Sequence, residues 1–155
     1  MNVDAFLDAV KALLIHPDNG VAELVDLNTV VWHHGATDPD EDIKAGIGKC
    51  DGVSVLIYDI GGDNAEDVAG EPIIAAECIV ELFIDTTKRN RRKTPALRLG
   101  GAIRDDIMVT LHRASSLNNS GHCHGAAVVK GYKPLVDPEY TAWKITLSRS
   151  IFLDG

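Results

Sequence analysis

Apolar residues first recur at helical spacing near the N-terminus, where Phe6, Val10, Leu13 and Leu14 mark one stripe of a helix over residues 3–15. Asn2 or Asp4 is placed to cap it, and Pro17 with the turn Asp18-Asn19-Gly20 ends it. The β-branched and aromatic run Thr29-Val30-Val31-Trp32 predicts a short strand over 28–34. Residues 39–47 open on acidic positions and predict one or two helical turns, closed by Gly46 and Gly48. Val53, Val55, Leu56, Ile57 and Tyr58 are nearly continuous apolar, the pattern of a buried strand over 53–58.

A Gly-, Asp- and Asn-rich stretch over 59–71 predicts a loop, and it leads into the clearest strand, 73–85. There Ile74, Ala76, Cys78, Val80, Leu82 and Ile84 form one apolar face, while Glu77, Glu81 and Asp85 share the other with Ile79 and Phe83. Residues 86–94 predict a basic loop. Thr94 then suits an N-cap and Pro95 a first helical position, so a second main helix is predicted over 95–114. Its stripe runs through Leu99, Ile103, Asp106, Ile107, Thr110 and Leu111. A polar connector, 115–125, precedes two predicted strands, 126–132 and 140–153, separated by a turn over 134–138. In the last strand Trp143, Ile145, Leu147, Ile151 and Leu153 alternate with polar residues, and Arg149 interrupts the apolar set.

This order does not alternate strand and helix strictly. It predicts an α+β fold: a mixed, mostly antiparallel sheet with two main helices packed on one face, as a single domain over 1–155. At 155 residues, 45% hydrophobic and 25% charged, the chain has the balance of a globular protein. No apolar run approaches the about 20 residues that span a bilayer, so no membrane partner is expected. The N-terminal stretch lacks the basic region and cleavage site of a secretory signal, and three cysteines at unrelated spacings form no disulfide framework; both predict an intracellular setting. A net charge of −8 argues against general nucleic-acid binding.

Candidate chemistry is sparse. His122-Cys123-His124, with His33 and His34, is the most metal-like group, but paired spacings such as Cys-x-x-Cys are missing, and the expectation is a polar loop without metal or cofactor. No nucleophile elbow or phosphate loop occurs, and Cys78 on its apolar face is expected to pack as a small hydrophobe. Asp38, Asp40, Glu41 and Asp42 suit a helix N-terminus, without the glycine-containing spacing of a calcium loop. No catalytic residue is expected. The run Lys88-Arg89-Asn90-Arg91-Arg92-Lys93 stands out, with five cations in six residues of an acidic chain. Lys88, Arg89, Arg91, Arg92 and Lys93 are the candidate docking residues, for an acidic partner surface or for DNA phosphate.

The layout as a whole resembles the phage tail terminator and minor tail protein family. The resemblance is carried by the N-terminal helix, the strand at 53–58, the long strand ending at Asp85 and the helix from Pro95. The polar insertion and the closing strands with Trp143-Lys144-Ile145-Thr146-Leu147 complete it. It implies a structural, non-enzymatic subunit of a homo-oligomeric ring, a hexamer, assembled in the host cytoplasm and carried in the virion. The implied partners are copies of itself, the tail tube protein, and a head-completion or neck protein, with DNA passing through the ring without specific binding. The alternative is a small intracellular enzyme or a metal- or ligand-binding domain built on His33, His34, His122 and His124.

Overall fold

The structure is a computed structural model that describes residues 2–25, 30–32, 37–49, 51–68, 70–91, 100–112 and 123–153. It is an α+β fold around a five-stranded mixed sheet of order β1-β2-β3-β5-β4. The strands are β1 (Val30–Val31), β2 (Val53–Val68), β3 (Glu71–Ile84), β4 (Cys123–Leu135) and β5 (Thr141–Phe152). Only β1 runs parallel to its neighbour; the other pairs are antiparallel. The helices are α1 (Val3–Leu14), α2 (Pro39–Lys49), α3 (Thr86–Arg91) and α4 (Gly100–His112). None is long and apolar enough to cross a membrane among the described residues.

The main core lies on one face. Phe6, Leu7, Val10 and Leu14 of α1 and Ile103, Ile107 and Leu111 of α4 are buried there against Val55, Ile57, Val80 and Leu147. The expected apolar face of β3 is this one, and Cys78 packs in it with no exposed surface. Burial, with Asp59 adding to it, pushes the Cys78 thiol up to about 12, so it stays protonated and inert at neutral pH. Asn2 wins the cap of α1: its Oδ1 accepts the Ala5 amide at 2.7 Å. His16 Nδ1 accepts the amides of Asp18 and Asn19 at 3.1 and 3.2 Å, which fixes the turn beyond the helix. Gly100 sets α4 close to the sheet, since a Cβ there would lie 2.9 Å from Ile84 Cγ1 and 3.1 Å from the Trp143 ring. Arg149 belongs to the core face as well and is 2% exposed.

Four expectations are corrected. The stretch 59–71 is no loop: β2 continues to Val68 and β3 begins at Glu71, in register from Val53↔Ile84 to Val68↔Glu71. The pairing is irregular between Asp59 and Gly61, where Gly61 takes φ +104°, and again between Asn64 and Glu66. Residues 86–91 are helical because Asp85 caps them, its Oδ1 accepting the Lys88 amide at 2.9 Å. α2 runs through Gly46 and Gly48 to Lys49, with Gly46 as its point of contact with Ser54 of β2. Finally, β4 starts at Cys123 and reaches Leu135, taking in Pro134, which an edge strand tolerates. Residues 92–99 and 113–122, into which the predicted helix 95–114 extends at both ends, lie outside the described residues.

Candidate functional site

The second face of the sheet is only partly covered. α2 lies across one end of it, where Ile43 and Ile47 join Leu56, Phe83 and Ala142 in a smaller core. Beyond that core opens a cleft of about 360 Å³ between the N-terminal end of α2 and residues Leu135, Val136 and Asp137. Its floor is aromatic and apolar: Trp32, Leu56, Tyr58 and Phe83. Trp32 meets Tyr58 edge-to-face, with ring centroids 6.3 Å apart at 87°. Just beyond β1, the Trp32 amide donates to the Ile57 carbonyl at 2.7 Å, and the indole N–H donates to the Thr37 carbonyl at 2.9 Å.

Three carboxylates line the same cleft. Glu81 accepts the hydroxyl of Tyr58. Desolvation first, and then this hydrogen bond and the charge of Glu81, raise the Tyr58 hydroxyl well above its ordinary value, so it remains a donor. Asp40 lies exposed on the first turn of α2. Asp137 turns the chain into β5 by accepting the amides of Glu139 and Tyr140 at 2.8 and 2.9 Å. The other acidic residues act as the sequence predicts for a helix start: Asp38 Oδ1 accepts the Asp40 amide at 3.0 Å, and Asp42 accepts the Thr37 hydroxyl at 2.6 Å. Lys144 stands opposite Glu81 in the β3–β5 register. An aromatic floor under a carboxylate rim favours a flat organic cation with an aliphatic stem: carboxylates pair with its charge, rings with its face.

The predicted docking residues divide. Lys88 is turned inward on its own chain, its Nζ donating to the carbonyls of Ile47 at 2.9 Å and Gly48 at 3.3 Å, at the C-terminal end of α2. Arg89 and Arg91 are on α3; Arg92 and Lys93 lie outside the described residues. Of the histidine group, His124 pairs with Ser150 in the β4–β5 ladder, and His33, His34 and His122 lie outside the described residues. Among the described residues no group of three His, Cys, Asp or Glu could hold a metal ion.

Sequence reasoning missed the cleft, because its lining comes from five separated segments. A local signal existed only for its acidic rim on α2. Elsewhere on the surface Arg104 stacks over Tyr132 at 4.7 Å and Trp143 at 5.3 Å while paired with Asp105, and Lys130 bonds Glu77. The chain matches no family model and no curated protein sequence.

Proposed function

We propose that the chain is a structural subunit of a phage or prophage tail, a tail-terminator-like ring protein that caps the tail tube and joins it to the head. The observation that carries this reading is the element order over the described chain. The N-terminal helix, the antiparallel β2–β3 pair, the helix α4 returning over the same face and the closing β4–β5 pair are the elements on which the resemblance rests, and they support the reading. The subunit acts by assembly and performs no catalysis. It meets copies of itself within the ring, the tail tube protein on one side and a head-completion or neck protein on the other. The net charge of −8 suits a lumen through which DNA slides without being held.

Mass in solution, measured by sedimentation from micromolar to near-millimolar chain together with metal content, tests the reading. A metal-free closed oligomer of one defined size, six copies by the resemblance, is expected, and it should bind assembled tail tubes in electron micrographs. A monomer at every concentration would overturn it. A monomer carrying stoichiometric zinc would move the assignment to the histidine-based alternative.

A further inference from the structure

Three carboxylates line the aromatic cleft, and among the described residues none of them meets a cation. Asp40 stands on the α2 wall, exposed, with no hydrogen bond to its side chain among those residues. Asp137 stands on the opposite wall and spends only Oδ1, on the Glu139 and Tyr140 amides. Between the walls Glu81 spends only Oε1, on the Tyr58 hydroxyl. No lysine or arginine is among the described lining residues, and Lys144 forms no ion pair with Glu81 although the ladder sets them opposite. The N-terminus of α2 carries about half a positive charge. Asp40, Glu41 and Asp42 in its first turn outweigh it.

We infer that the cleft binds a linear aliphatic dication, a diamine or guanidinoamine, with one charged end at Asp40 and the other at Asp137. The inference goes beyond the ring reading and stands whether or not the chain assembles. Carboxylates on two facing walls match a ligand charged at both ends, and each end forms charge-assisted hydrogen bonds with oxygens that have no other donor. The floor between the walls is Trp32, Leu56, Tyr58 and Phe83, which covers methylenes as it would the stem of a lysine. A cationic end close to that floor also gains from the ring faces. A neutral or anionic ligand would desolvate the carboxylates and return nothing. The volume, about 360 Å³, is near the lower end of small-molecule sites and too small for a helix or strand of a partner.

The probe is agmatine, which has a guanidinium at one end of a short methylene chain and an ammonium at the other. n-Butylamine, with one charge, is its comparison. Calorimetric titration of the full chain at about 0.15 M salt, where loose counterions are screened, should show agmatine binding one to one. Butylamine should bind about tenfold more weakly or worse, the scale of one close charge pair. Asp40→Asn with Asp137→Asn removes both wall charges and keeps an oxygen to accept the turn amides. It should weaken agmatine by about tenfold or more. Asp8→Asn with Asp63→Asn removes the same charge from exposed positions outside the cleft and should bind agmatine like the parent. Melting curves establish that each variant is folded; should the cleft pair cost the fold, Asp40→Asn alone decides in the same titration. A parent that takes up no agmatine overturns the site, whether the cleft stays empty or a cation of the chain itself fills it. Equal losses in the two double variants would reduce the binding to general attraction by an acidic chain and overturn it too. Butylamine binding as tightly as agmatine would remove the second charged end.

Discussion

On one face of the sheet α1 and α4 press Phe6, Ile103 and Ile107 onto Val80 and Leu147, and the contact is apolar over most of the sheet. On the other face α2 reaches only one end with Ile43 and Ile47, and the rest presents Tyr58, Glu77, Glu81 and Lys144. The first face mainly excludes water, and its apolar side chains are interchangeable within limits of volume, with Arg149 as the charged residue buried among them. The second must satisfy each polar group by a specific partner, as Tyr58 does with Glu81 and Lys130 with Glu77. Apolar burial is concentrated on the first face and specific polar pairing on the second.

The largest expected effect lies on the apolar face. Ile103 has no exposed surface, so Ile103→Ala loses its transfer energy and leaves a cavity between α4 and the sheet. A loss of about 2–5 kcal/mol in urea unfolding is expected. A change within about 0.5 kcal/mol, the surface range, would mean that the two faces do not differ as described. This face is also the one legible in the sequence. The strict alternation of β3 and the steps of three and four through Ile103, Ile107 and Leu111 are periodic signals, and periodicity reports one-sided burial directly. The cleft left no such trace. Trp32, Tyr58 and Phe83 are each read as an ordinary apolar position in its own strand and Leu135 as part of a turn, and only the pairing of β1 through β5 brings them together. The helical start at Thr86 was legible in principle, through Asp85 three residues before Lys88, but the density of charge that follows resembles a solvated loop.

A middle-sized effect is expected at Gly46, where the second face tests whether α2 is truly seated on the sheet. In an exposed helix Gly→Ala stabilises by about 1 kcal/mol. Here the added Cβ would lie 2.9 Å from the Ser54 Cβ and nearer still to its hydroxyl, and Ser54 is 2% exposed with no room to retreat. Gly46→Ala is therefore expected to destabilise by about 1–3 kcal/mol, the usual cost of overpacking. Ser54→Ala in the same chain should recover part of the loss, because it removes the closest atom. A stabilising Gly46→Ala would place α2 away from β2 and dissolve the cleft with it.

The smallest effect sharpens the division within the basic run. Lys88 and the arginines that follow it are neighbours in sequence, yet Lys88 is spent on the C-terminal carbonyls of α2. Cations at that position interact favourably with the helix dipole and satisfy carbonyls that lack intrahelical donors. Lys88→Met keeps the aliphatic stem and deletes the ammonium, so the loss isolates that interaction. About 0.3–1 kcal/mol of stability should be lost, the range for a charge at a partly exposed helix end. Raised salt should shrink the difference, since screening weakens what the parent holds and the variant lacks. Self-association of the folded variant should stay close to that of the parent, because the ammonium is already taken by carbonyls of its own chain. Arg89→Ala with Arg91→Ala should behave in the opposite way, sparing the urea midpoint and weakening association. If Lys88→Met instead leaves stability untouched and weakens assembly, the ammonium is itself a docking group, and its bonds to the α2 carbonyls do not hold α3 to the sheet.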